Sequence, residues 1–174
     1  MQKNIFSTKI LVRAAFFTAL SIVLTRMFSI MVTQALRIGF GSLPLIMSGL
    51  TCGPVIGAIV GALSDLIGVM INAQGTPHWG FTFSAMLEGI IPGIISVYFI
   101  KDDKKRLLAG IIISVVLVYS ISHICLNTLW LSQLLGKSVI VMLPLRAVKA
   151  CIEGVLATFI LYVIMRMPVF KNNF

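Results

Sequence analysis

The chain has 174 residues, of which 59% fall in the hydrophobic set and 11% are charged, and its mean hydropathy is +1.06. Soluble domains run at about 45–50% apolar and about 25% charged, so a cytosolic globule is excluded. A disordered segment needs low hydrophobicity and a disulfide-stapled module needs dense cysteine, so those classes fall too. An integral membrane protein remains, and at about 20 apolar residues per span the length leaves room for helices and short loops only.

In chain order, the first helix is predicted over about residues 8–30, following Lys3, Lys9 and Arg13. Its apolar stretch is too long for a typical signal-peptide core, so it is expected to be retained. A short second helix over about 43–52 ends at Gly53-Pro54, because glycine followed by proline reads as a junction between two helices. The third helix is predicted over about 54–71, and 72–80 reads as a polar turn. The fourth covers about 81–100 and is closed by Lys101-Asp102-Asp103-Lys104-Lys105-Arg106; the fifth covers about 107–131 and the sixth about 138–167. The expected fold is an all-α integral membrane protein, with six transmembrane helices in one bundle forming a single membrane domain over residues 1–174.

Basic residues in short loops stay on the cytoplasmic side. Lys3, Lys9, Arg13, Lys101, Lys104, Lys105, Arg106, Arg166 and Lys171 all fall on one side of this arrangement, which places both termini inside. Most of the formal net charge of +9 is then a topology signal rather than a mark of nucleic-acid binding. The remaining charges are Arg26, Arg37, Lys137, Arg146, Lys149, Asp65, Glu88 and Glu153. Counted at about 1.5 Å per residue, those within spans lie mostly in the outer half of the membrane. Proton relays and channels need polar groups through both halves, so the pattern suits a binding pocket open to the outside and sealed below.

Arg146, Lys149 and Glu153 are spaced i, i+3, i+7 and share a helical face, which suits an anionic partner. An internal ion-pair set, Lys149 with Glu153 and Arg146 with Glu88 or Asp65, is the alternative. His123 and Asn127, at i, i+4, offer a donor and an acceptor to a heterocycle. Trp79, Phe81 and Phe83 cluster where the fourth helix begins and Phe40 sits in the first loop, which suits a flat aromatic ligand or an interfacial belt. Gly39-Phe40-Gly41 and Gln74-Gly75-Thr76-Pro77 are loops able to close over a ligand. Ala15 and Ala19 make a small-xxx-small pair on the first helix, and Gly53, Gly57 and Gly61 a longer ladder on the third, for which internal packing is favoured.

Catalytic signals fail. Gly136-Lys137-Ser138 lacks the first glycine of a phosphate-binding loop, no Gly-x-Ser-x-Gly or HExxH occurs, and Cys52, Cys125 and Cys151 sit in apolar settings. No metal site and no cofactor are expected.

Three blocks carry a family resemblance: Arg37-Ile-Gly-Phe-Gly-Ser-Leu-Pro-Leu; Gly53-Pro54-x-x-Gly57-x-x-x-Gly61-x-x-x-Asp65-x-x-Gly68; and Gly80-Phe81-Thr82-x-Ser84-Ala85, which continues to Gly89-Ile90-Ile91-Pro92-Gly93. With the short second helix, the sequence resembles the substrate-binding membrane subunits, or S components, of energy-coupling factor (ECF) vitamin transporters, most closely their folate branch. The resemblance implies a subunit of a prokaryotic plasma membrane, embedded in lipid, that captures a vitamin from outside. It has no ATPase of its own and works with a transmembrane coupling subunit and two cytoplasmic ATPases. Ala15 and Ala19 are then the docking face, and delivery follows from reorientation in the membrane.

Folate carries a pterin edge, aromatic rings and two carboxylates. Glu88, Asn127 and His123 are expected at the pterin, and Ser84 is counted among the substrate-binding residues. Trp79, Phe81 and Phe40 are expected over the rings, and Arg26, Arg146 and Lys149 at the carboxylates. Another water-soluble vitamin is the alternative within the class; a membrane-embedded hydrolase using Ser84 or His123 is the alternative outside it. A third treats the charges as packing pairs.

Overall fold

The computed structural model describes residues 7–33, 36–72, 78–100 and 106–167. Lys3, Lys171, the run Lys101–Lys105 and the loop Gln74–Pro77 lie outside the described residues.

The first helix, α1 (Thr8–Arg26), stops four residues short of the predicted end. The chain beyond it, rich in β-branched residues, pairs as an antiparallel hairpin of β1 (Ile30–Thr33) and β2 (Leu36–Ile38), with Ile30 opposite Ile38 and Thr33 opposite Leu36. The expected helix ran on because a short apolar run reads alike as helix or strand, and here residues 30–33 pair with 36–38 instead. The connection then turns inward. The Ser21 hydroxyl donates to the Gly41 carbonyl at 3.0 Å, and a Cβ at Gly41 would meet Thr25 Oγ1 at 1.9 Å, so only glycine lets this strand of backbone lie against α1.

Helix α2 (Ser42–Cys52) is 11 residues long, or about 16 Å, and is buried along Ser42–Leu50. Gly53 takes φ +88°, a left-handed turn that needs glycine, and Pro54 opens α3 (Pro54–Ile71). Helix α4 runs from Trp79 to Ile100, with Ser96–Ile100 π-helical beyond Pro92. Helix α5 runs from Leu107 to Leu135, four residues past the prediction, with a π-helical stretch over Tyr119–Leu126; Gly136 ends it in the left-handed region at φ +62°. The last helix, α6 (Val139–Arg166), matches the prediction to one residue at each end. Five of the six described helices are long and apolar enough to cross a membrane; α2 is the short one.

Glycines set the spacing of α2, α3 and α4. A Cβ at Gly61 would lie 2.2 Å from the Ala85 carbonyl oxygen, one at Gly57 would lie 2.5 Å from that of Gly89, and one at Gly49 would lie 2.2 Å from the same Gly89 oxygen. The ladder expected on the third helix is thus an internal seam, where backbones touch because no side chains intervene. On the other side of α4, Ile111, Val115, Val118, Ala157 and Leu161 from α5 and α6 close the apolar core.

Candidate functional site

Two buried charge groupings are built on this frame. The first ties α1, α3 and α4 at one end. Arg26, 9% exposed, lies 3.6 Å from Asp65 Oδ1 and donates to the Asn72 carbonyl at 2.9 Å. Asp65 accepts a 2.7 Å hydrogen bond from the Thr82 hydroxyl on α4. Gly68 leaves the room this needs, since a Cβ there would stand 2.8 Å from Arg26 Nε.

The second grouping joins α2, α4, α5 and α6. The π-helical stretch of α5 presents His123, whose Nε2 lies 3.3 Å from Glu88 Oε1 and 3.0 Å from Ser42 Oγ. Its ring stacks on Tyr119 with centroids 4.5 Å apart and planes 13° from parallel. The His123 carbonyl accepts from the Arg146 guanidinium at 3.1 Å. Farther along α6, Lys149 Nζ is 3.2 Å from Glu153 Oε2, while Glu153 Oε1 accepts the backbone N–H of Gly39 at 3.1 Å. Isolated π turns recur at functional sites because they re-aim side chains within a continuous helix.

An aromatic group flanks it. The Trp130 indole N–H donates to Ser84 Oγ at 3.3 Å, and the Ser122 hydroxyl donates to the Ser84 carbonyl at 3.4 Å. Gly80 fits under Trp130, where a Cβ would come within 2.4 Å of the indole. His78 caps α4 by accepting from Gly80 N–H at 3.0 Å, with its ring 5.4 Å from Trp130 and edge-on to Phe81 at 6.0 Å.

Of the residues singled out from sequence, the structure brings Glu88, His123 and Arg146 together. Lys149 stands one turn along α6 from Arg146, Ser84 one turn along α4 from Glu88, and Asn127 just past the π-helical stretch from His123. Phe40 and Phe81 are half-buried. Others go elsewhere. Arg26 is paired with Asp65, and Trp79 is 81% exposed on the outside of the bundle. Ala15 and Ala19 are exposed on α1, in a stripe with Val12, Phe16 and Val23.

Sequence reasoning missed Ser42, Tyr119 and Trp130. Tyr119 was accessible as the residue four before His123; Ser42 was not, since its partner is 81 residues away. Trp130 sits three residues past Asn127 in a helix already predicted, so its inward placement follows only from how α5 is rotated.

Chemically, the second grouping is a mixed set of donors and acceptors held out of water. The Asn127 Oδ1 and Thr128 Oγ1 atoms are buried with no hydrogen-bond partner among the described residues, and a buried polar atom left without one costs about 1–3 kcal/mol. A bound polar group or ordered water restores that balance at Asn127. The arrangement does not activate a nucleophile: Ser42 and Glu88 both approach the same imidazole nitrogen, whereas a triad needs its acid on the opposite one. Ser84 Oγ faces an indole donor rather than a base. Among the described residues no group of three or more His, Cys, Asp or Glu is placed to hold a metal.

Known proteins place this geometry in context. Residues 9–165 match the family model "ECF transporter, substrate-specific component". The chain is 40% identical over 153 residues to the folate transporter FolT of Clostridium novyi (strain NT), covering 88% of this chain and 86% of that one. It is 32% identical over 124 residues to FolT of Leuconostoc mesenteroides, covering 71% and 64% respectively. The crystal structure of FolT bound with folic acid superposes with a TM-score of 0.79 at 26% identity, over 97% of this chain and 95% of that one. An S component of a bacterial ECF transporter shares the fold, with a TM-score of 0.68 at 24% identity over 91% and 94%. The chain therefore belongs to the substrate-specific components of ECF transporters.

Proposed function

We propose that this chain captures folate for an ECF importer, and that the Glu88–His123–Arg146–Lys149 grouping on α4, α5 and α6 is its binding site. The observation that carries this is the grouping itself: Glu88 buried, His123, Arg146 and Lys149 half-buried, of mixed charge, and one turn of α5 from the amide oxygen of Asn127, which has no hydrogen-bond partner among the described residues. Its chemistry matches a ligand with a donor–acceptor heterocycle at one end and two carboxylates at the other. Similarity to a folate transporter over most of both chains, and to a folic-acid-bound structure, supports the same ligand.

In this reading Glu88, Asn127 and His123 meet the pterin edge, while Arg146 and Lys149 hold the glutamate carboxylates. Phe40 and Phe81 line the approach, and Ser84 orients Trp130 against it. The pairing of Arg26 with Asp65 assigns it to holding α1 against α3. The exposure of Trp79 assigns that side chain to the surrounding interface. In this reading the site opens outward and both termini face the cytoplasm, which the excess of basic residues in the loops on one side supports. Energy for import comes from two cytoplasmic ATPases through a transmembrane coupling subunit that docks on Ala15 and Ala19, and the subunit delivers its ligand by reorienting.

Titration of the purified protein with folate, followed by tryptophan fluorescence, tests the assignment, and saturable binding below about micromolar is expected. Absence of binding in that range removes folate, and mass spectrometry of the co-purifying ligand then identifies the vitamin. Arg146→Ala is expected to weaken folate far more than pteroate, which lacks the glutamate; equal losses reject the carboxylate role.

A further inference from the structure

Glu153 is 3% exposed, and both of its carboxylate oxygens are engaged by the protein. Oε2 pairs with Lys149 on its own helix, and Oε1 accepts the N–H of Gly39, 114 residues away on the connection between β2 and α2. Three residues on, the same connection is held again, by the contact of Ser42 with His123. Between these points its backbone lies against α1 through Gly41 and Ser21. Residues 39–42 are thus fastened to the charged grouping at two places, once through Glu153 and once through His123.

We propose that Glu153 is a positioning residue for ligand capture: it fixes the Gly39–Ser42 connection over the site and presents Lys149 to the ligand, without contacting the ligand itself. The inference rests on the reading of the Glu88–His123–Arg146–Lys149 grouping as the folate site. Each oxygen of this 3% exposed carboxylate already has a protein partner, and its charge would repel a ligand carboxylate. It is suited instead to aim the ammonium beside it and to hold a backbone that has to stay closed while ligand is bound. A hydrogen bond to a charged group is worth about tenfold or more in an equilibrium.

Two readouts on the intact subunit in detergent test this. In Glu153→Ala, hydrogen–deuterium exchange of peptides spanning residues 38–45 in the ligand-free protein is expected to speed up by about tenfold. Folate dissociation, followed by stopped-flow fluorescence, is expected to accelerate by a similar factor of about ten. Glu153→Gln keeps an acceptor oxygen for Gly39 but no charge for Lys149, so exchange stays close to wild type while dissociation still rises. Exchange and dissociation both within twofold of wild type in Glu153→Ala overturn the proposal. So does a Glu153→Gln protein whose loss of folate is matched by a lower ligand-free unfolding midpoint, which is what a purely structural role produces. If Glu153→Ala does not fold, the split between exchange and dissociation in Glu153→Gln decides. A wild type that fails to bind folate removes the ligand assignment, and the exchange at residues 38–45 then decides the anchoring by itself.

Discussion

Along α2, α3 and α4 the backbones touch through Gly49, Gly57, Gly61 and Gly89, and the charges at the end of that seam, Arg26 and Asp65, are matched to each other, to the Asn72 carbonyl and to Thr82. Between α4, α5 and α6 an apolar core is joined by the polar side chains of Glu88, His123 and Arg146. Helix α5 is π-helical over Tyr119–Leu126, and Asn127 and Thr128 bury oxygens without a hydrogen-bond partner among the described residues. Both regions pair charges within the protein, Arg26 with Asp65 in the first and Glu88 with His123 and Lys149 with Glu153 in the second, and the second adds the polar atoms of Asn127 and Thr128. In hydrocarbon there is no hydrophobic drive between helices, so close packing of small residues supplies cohesion. Concentrating that cohesion in three helices leaves the other side free to carry the polar groups that are proposed to serve binding.

The contrast can be broken most severely at the seam. Gly61→Val is expected to yield no monodisperse folded protein on size exclusion, because its Cβ alone would overlap the Ala85 carbonyl and force α3 and α4 apart. Next in size, Arg146→Ala is expected to weaken folate by about 100-fold, or roughly 3 kcal/mol, with the ligand-free unfolding midpoint nearly unchanged. A fall in the midpoint instead, with affinity preserved, would make Arg146 a packing residue and erase the contrast.

Arg26→Ala is the mirror experiment. Leaving Asp65 unpaired in a buried setting is expected to cost about 2–3 kcal/mol, read as a midpoint lower by about 5–10 °C, while folate affinity shifts far less than in Arg146→Ala. The smallest effect separates the two tryptophans. Trp130→Phe is expected to remove most of the folate-dependent fluorescence change and Trp79→Phe almost none, since Trp130 bonds Ser84 beside the site and Trp79 faces outward.

Much of the fold was legible before the structure. Apolar runs of spanning length located the helices, and Gly53-Pro54 marked the α2–α3 junction that the structure bends at φ +88°. The end of α1 was not legible, because the apolar run beyond Arg26 fits a helix as well as the strand pairing of Ile30–Thr33 with Leu36–Ile38 that the chain adopts. The proposed site was legible as a set of letters: Glu88, His123, Arg146 and Lys149 were identifiable as ionisable residues in apolar runs. Their grouping was not, nor was the separation of Arg26 from them. The same limit hid Ser42 and Trp130, whose roles depend on how neighbouring helices are rotated.

What this sequence determined by itself is the solvent it lives in, its helix count and its family, because hydropathy, glycine–proline punctuation and motif blocks are local properties of the chain. Only the tertiary structure decided which charges meet, Arg26 with Asp65 at one end and Glu88, His123, Arg146, Lys149 and Glu153 across α4, α5 and α6. That distinction depends on rotation and depth of whole helices, set by the glycine contacts of α2, α3 and α4, and no spacing within a single helix encodes it.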